Sequence, residues 1–360
     1  MTRCLPERRS TMTRRMPDPP GLDVARLEAF LRREHPATVG DDPLSARVIA
    51  GGRSNLTYRV DGGATPLVVR RPPLGHVQTT AHDMAREFRV ISALRGSRVP
   101  VPPAVALVED PSAGTGTVFY VMDLVEGAVL AHQAQNTTYT ADELRAVSLE
   151  LATLLAELHA IDPAVVGLAD LGRSDGYLDR QLRRWRTQLD GSRSRPVPSL
   201  DDLQGRLAER VPTTRRSSIV HGDYRLDNAL VGGEVPHITA ILDWEMATLG
   251  DSAVDLGMLG LYWHIRGIAG AEGVAPSAVD PAAGYPAFDE LVDAYCARLG
   301  SSVPELGWYR AFAAYKLAVI LEGIHFRFLG GDTVGDGFDR IGGLVGPLAD
   351  EGLAQLAGVR

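Results

Sequence analysis

The stretch IVHGDYRLDNALVGGEVPHITAILDWE, residues 219–245, gathers the side chains that phosphoryl chemistry uses. Two short apolar runs, 229–231 and 238–242, flank Gly232-Gly233 and read as a hairpin. Its polar residues cluster before the first strand and just after the second. Asp223, Asn228 and Asp243 are therefore expected to converge at one end of the hairpin. A carboxamide and a carboxylate, Asn228 and Asp243, suit Mg²⁺, a hard cation that takes oxygen ligands and keeps waters and phosphate oxygens. Asp223, five residues before Asn228, could accept a proton from a substrate hydroxyl. Arg225 could neutralise charge on a transferred phosphoryl group. Singly, each would be an ordinary turn or cap residue; the chemistry lies in the combination.

These residues need a scaffold, and the pattern supplies it in two parts. The segment 23–35 has apolar spacing near 3.6 and reads as an amphipathic helix closed by Pro36. Runs 46–50, 56–60 and 66–70, joined by Gly-rich turns, predict an antiparallel meander. A helix over 80–95 and strands over 104–109 and 117–123 follow. From about residue 140 the pattern turns helical, with helices over 141–160, 176–189, 253–268, 286–299 and 304–329. The polar stretch 190–200 reads as loop.

His221-Gly222-Asp223, with Asn228 at the fifth place after the aspartate, resembles the catalytic loop of protein-kinase-like enzymes. HGD in place of HRD, and LDWE in place of DFG, look like the aminoglycoside phosphotransferase (APH) family. HGDYRLDN with VVRRPP and AHDMAREFRV is similar to the APH-like kinase domains of actinobacteria and those fused to acyl-CoA dehydrogenases. The resemblance covers roughly residues 23–345. It implies an α+β, two-lobed protein-kinase-like fold, with a nucleotide-binding lobe over 21–126 and a helical lobe over 127–360 that carries the catalytic loop and acceptor site. It implies Asp223 as catalytic base, Asn228 and Asp243 as Mg²⁺ ligands, and Arg225 as a phosphate contact. His221 would buttress the loop and Asp255 would anchor its backbone. Gly51, Gly52, Ser54 and Asn55 would belong to the nucleotide-covering loop. Arg70 stands where the family usually has a lysine on the phosphates, with Glu87 as its ion-pair partner and Arg71 as an alternative. Backbone groups from Asp123 to Val125 would pair with the base of ATP, or of GTP, since backbone pairing leaves no side-chain signature.

Composition bounds the rest. With 360 residues, 45% apolar and 23% charged, the chain is expected to fold as two domains or one two-lobed unit, which excludes a disordered, collagenous or coiled-coil protein. A net charge of −8 argues against a nucleic-acid partner. The apolar runs 253–268 and 311–329 carry Asp255 and Arg266, or Lys316 and Glu322, so they read as core helices rather than membrane spans. Lys316 is the single lysine; the other 36 basic residues are arginine. Two cysteines make no disulfide framework, and the nine histidines show no zinc spacing, so a reducing, cytoplasmic setting is expected. Residues 1–20, locally basic, are expected to be a disordered tail. The expected partner is a small-molecule hydroxyl acceptor, bound by a monomer or homodimer. An acidic body suits polycationic aminoglycosides, whereas the resemblance and the arginines at 180–186 suit an anionic metabolite such as a hydroxyacyl-CoA. His325 and Arg327 could also reach the acceptor. The competing class is a nucleotide-binding pseudokinase, suggested by Arg70 and the short glycine loop.

Overall fold

The computed structural model describes residues 17–51, 55–74, 83–331 and 337–358. The tail expected over 1–20 therefore lies outside the described residues except for 17–20. Contacts divide the chain into two units: one holds residues up to 88 and 104–124, the other 89–103 and everything from 125 onward.

The first unit opens with α1 (Val24–Glu34), capped by the Asp23 carboxylate, which accepts from Arg26 N at 3.0 Å. The helix buries Val24, Leu27 and Leu31, spaced along one stripe. A five-stranded antiparallel sheet follows: β1 (Ser45–Gly51), β2 (Leu56–Asp61), β3 (Leu67–Arg71) and, after α2 (Met84–Leu94), β4 (Ala104–Val108) and β5 (Phe119–Asp123). Its order is β1-β2-β3-β5-β4, so the expected meander forms and β5 inserts beside β3. Tyr58, Val60, Leu67, Val69, Phe119 and Val121 pack with the α1 stripe as one core.

The second unit runs through β6 (Ala128–Val129), α3 (Ala141–Ala160), α4 (Tyr177–Ser192) and α5 (Pro198–Glu209). Then come β7 (Ser217–Val220), β8 (Ala229–Gly232), β9 (His237–Ile241) and β10 (Thr248–Asp251). Last are α6 (Ala253–His264), α7 (Phe288–Leu299), α8 (Gly307–Leu329) and α9 (Val345–Gly358). Thr140 and Glu143 form a reciprocal capping box that starts α3. The hairpin read from sequence is β8–β9, with β6 as its third strand, while β7 pairs with β10. Helix α8 packs against α4, α5, α6 and α9 and is buried along most of its length. Two sequence readings are corrected. The expected loop 190–200 is shorter: α4 runs on to Ser192 and α5 starts at Pro198, a first-turn position that needs no N–H, which leaves 193–197 as the loop. The helix expected over 253–268 ends as α-helix at His264 and closes in a 3₁₀ turn. Among the described residues no helix is long and apolar enough to cross a membrane.

Candidate functional site

The loop between β7 and β8 is held through its backbone. Gly222 has φ +88°, and a Cβ there would lie 2.8 Å from both Cβ and the carbonyl oxygen of Met246, so only glycine fits. Asp255, on the first turn of α6, accepts from His221 N at 2.7 Å and from Gly222 N at 2.8 Å. The same carboxylate faces His159 Nε2 at 3.2 Å, and His159 Nδ1 meets the Tyr295 hydroxyl at 2.8 Å. Burial pushes the Asp255 carboxyl up, but His159, His221 and the Gly222 amide outweigh it and hold it below the usual range. His221 is equally committed. Its Nε2 donates to Leu242 O at 2.9 Å and its Nδ1 accepts from Asp223 N at 3.2 Å. Neither ring nitrogen is left to take a substrate proton. Its ring packs between Trp244 and Tyr224, with centroids 4.6 and 5.6 Å away.

On that frame the polar residues come together. Asn228 Nδ2 donates to Asp223 O at 2.8 Å and to Asp223 Oδ2 at 3.0 Å. Arg225 Nε lies 3.2 Å from the same Oδ2, within ion-pair range but not aligned as a hydrogen bond. Among the described residues no hydrogen bond reaches Asp223 Oδ1. Arg225 also pairs with Asp227 at 3.0 Å and lies 4.5 Å over the Tyr262 ring. Burial works against the Arg225 charge, but Tyr262, Asp223, Asp227 and Asp243 outweigh it and raise its pKa. Burial raises the pKa of Asp227, with Arg225 opposing. Asp243 follows β9, and the neighbouring Leu242 N donates to Asn228 O at 2.8 Å, which ties the two ends of the hairpin. Asp243 has φ +66°, the one positive value outside glycine among the described residues. Among those residues no group of three His, Cys, Asp or Glu side chains is arranged around a metal position. Asn228 and Asp243 offer one amide oxygen and one carboxylate. That is the donor set for a cation that keeps waters and phosphate oxygens.

In the first unit, Arg70 Nε donates to Glu87 Oε2 at 3.1 Å, with Glu87 almost fully buried. Side chains alternate along β3. Arg71 therefore points the other way, where its guanidinium donates to the carbonyls of Gly21 and Thr115, each at 2.8 Å. The Glu87 partner is thus Arg70, not Arg71. Gly51 ends β1 opposite Leu56, and Asn55 is buried just before β2. Gly52 and Ser54 lie outside the described residues. Asp123 closes β5 opposite Leu67, and the next amide, Leu124 N, donates to Pro66 O at 2.9 Å. Val125 belongs to the second unit. Of the arginines on α4, Arg180 bonds the Asp175 and Arg173 carbonyls and Arg186 pairs with Asp190, whereas Arg184 lies 5.6 Å over the Trp185 ring. His325 packs against Gly342 and Phe328, and Arg327 is exposed.

One residue that holds this loop was not singled out in the sequence for chemistry. Lys316, midway along α8, is buried, and its ammonium donates to Gly222 O. Its signal was there to read, as the single lysine of an arginine-rich chain set in an apolar helix.

A family model described as the phosphotransferase enzyme family, APH, matches residues 45–312. The chain belongs to that family. The expected protein-kinase-like α+β fold is the one found. A putative aminoglycoside phosphotransferase from Ralstonia eutropha is 32% identical, superposes with a TM-score of 0.78, and covers 94% of this chain and 99% of its own. The GDP complex of aminoglycoside 2′-phosphotransferase-IIIa shares the fold at 16% identity and a TM-score of 0.60, over 92% of this chain and 99% of that one. Acyl-CoA dehydrogenase family member 11 of Rattus norvegicus is 32% identical over 92% of this chain, which spans only 43% of that relative. The curated relatives are thus more than twice as long as the matched segment.

Proposed function

We propose that this APH-family chain transfers the γ-phosphoryl group of ATP, or GTP, to a hydroxyl of a small molecule, with Asp223 as the base. The observation that carries the reading is the division of labour at the Asp223 carboxylate. Asn228 and Arg225 both engage Oδ2, which leaves Oδ1 to accept the acceptor's proton. Asn228, its amide nitrogen spent on Asp223, would offer Oδ1 to Mg²⁺ alongside Asp243. When bound, Mg²⁺ would neutralise charge on the phosphates. Arg225 holds the carboxylates of Asp223 and Asp227 in register and offsets their mutual repulsion. Arg70, oriented by Glu87, would meet the nucleotide phosphates, and the backbone from Asp123 to Val125 would meet its base. Phosphoryl transfer asks little covalent work of protein groups, so this positioning is most of the catalysis.

For the acceptor, the reading favours a metabolite bearing an anionic group, such as a hydroxyacyl-CoA, over an aminoglycoside. What supports it is that curated relatives matching over 92% of the chain are acyl-CoA dehydrogenase family members. The test is γ-labelled ATP with Mg²⁺ and a pool of hydroxylated metabolites, acyl-CoAs and aminoglycosides, run beside Asp223→Asn. Label entering one acyl-CoA with wild type alone is the expected result. Label entering an aminoglycoside would overturn the acceptor class, and Mg·ATP binding with no transfer to any compound would favour the pseudokinase.

A further inference from the structure

The peptide group that joins Gly222 to Asp223 is gripped on both edges. Its N–H, the Asp223 amide, donates to His221 Nδ1 at 3.2 Å. Its carbonyl, that of Gly222, accepts from the Lys316 ammonium. One residue earlier, the amides of His221 and Gly222 end on Asp255. A cation on α8 and an anion on α6 thus hold Gly222 from opposite ends, its carbonyl and its amide. The ammonium is itself confined. Lys316 is 6% exposed and lies 5.5 Å over the Trp185 ring on α4. Burial pushes its pKa down and Asp223 and Asp255 push it back up, while Arg184 and Arg225 push it further down.

The choice of residue is informative. Arginine fills the other 36 basic positions, so lysine at 316 stands apart from the chain's own habit. A guanidinium is a wide planar fork, whereas an ammonium is a compact point charge that can end on one carbonyl oxygen. At position 316 the compact head ends on one carbonyl oxygen, whereas the buried Arg71 spreads its guanidinium over the carbonyls of Gly21, Pro72 and Thr115.

We propose that Lys316 is a positioning residue of the catalytic loop: its ammonium fixes the plane of the Gly222–Asp223 peptide and thereby the direction of the Asp223 carboxylate. The proposal rests on the reading of Asp223 as the base, and it deepens that reading by naming what aims the base. Lys316 touches no reacting atom. It acts through the peptide plane, as Asp255 acts through the two preceding amides.

The test is residue-resolved amide exchange on the full chain, comparing wild type, Lys316→Met and a control, Val319→Ala, that opens a cavity in the same helix. Lys316→Met should speed exchange at the Asp223 amide about tenfold or more, the effect of one lost hydrogen bond. The His221 and Gly222 amides, still held by Asp255, should keep their protection. The control should raise exchange across α8 and its neighbours without singling out Asp223. Should Lys316→Met not fold, Lys316→Gln is read in the same way, because its carboxamide stops short of the Gly222 carbonyl. An Asp223 amide as protected as wild type in the folded variant would overturn the proposal, as would equal acceleration at all three amides. In the labelled-ATP assay, Lys316→Met should lower kcat about tenfold or more while KM for Mg·ATP stays unchanged. A loss confined to KM would also overturn it. The two readings fail separately: faster exchange at Asp223 with full transfer by Asp223→Asn would leave the clamp standing and remove the base.

Discussion

Two polar assemblies carry the proposed chemistry, one in each unit, and they are built on opposite plans. In the first unit it is a pair of side chains, Arg70 on β3 and Glu87 on α2, with Glu87 the more deeply buried of the two. In the second unit it is a backbone loop tied at nearly every peptide: Asp255 takes two amides, His221 a third, and Lys316 a carbonyl. The first plan needs a charge in roughly the right place, so arginine can stand where the family usually has lysine. The second needs particular atoms at particular peptides, so each of its members has one chemical identity. Tolerance in one assembly and rigidity in the other follow from whether the polar group is aimed by its own flexible stem or by a clamped main chain.

The contrast can be broken at four points, taken from the largest expected effect. Asp223→Asn should lower kcat by about 10³, the scale of general-base catalysis, while the fold and Mg·ATP binding persist; wild-type turnover would refute the base. Asp255→Ala strips acceptors from two buried amides and His159, and should cost about 3 kcal/mol of stability in denaturant unfolding. The folded pKa of Asp255 is depressed, so its contribution is complete above the unfolded value of about 3.9 and is lost as pH falls through the folded one. The gap between wild type and Asp255→Ala should therefore hold from neutral pH down to about 4 and close below it; a gap that closes above pH 6 would mean another group carries the effect. Asp243→Ala should weaken Mg·ATP binding about tenfold or more by calorimetry, and undiminished affinity would remove it from the metal site. Arg70→Lys should be mildest, changing KM for Mg·ATP by less than about tenfold with Tm unchanged, since the charge beside Glu87 is kept. If it were as damaging as Asp223→Asn, the proposed difference between the two plans would collapse.

Much of this is legible in the sequence. The meander, α1, α3 and the β8–β9 hairpin announced themselves by period and by turn residues, and the hairpin alone foretold that Asn228 would lie beside Asp223. Short elements did not. β7 and β10 have four residues each, too few for alternation to register, and they exist because they pair with each other. Helix α5 hid behind Pro198 and its polar neighbours, although Leu200, Leu203 and Leu207 keep a helical spacing. Arg70 and Arg71 were indistinguishable as letters; strand alternation separates them once β3 has its register. Lys316 was noticed for its rarity, but its target is a backbone carbonyl 94 residues away, and sequence carries no mark of a carbonyl.

On the proposed reading of Asp243 as a cation ligand, this residue sets folding against use. Its backbone sits at φ +66°, a conformation that any side chain enters at a steric cost and glycine enters freely. Judged by backbone conformation alone, the position calls for glycine. The carboxylate is therefore a concession made by the fold, a small reserve of strain kept beside the place where a cation would bind. Laboratory evolution selected on thermal stability alone would be drawn to erase this residue early, and on that reading each gain in robustness there would be taken from nucleotide binding.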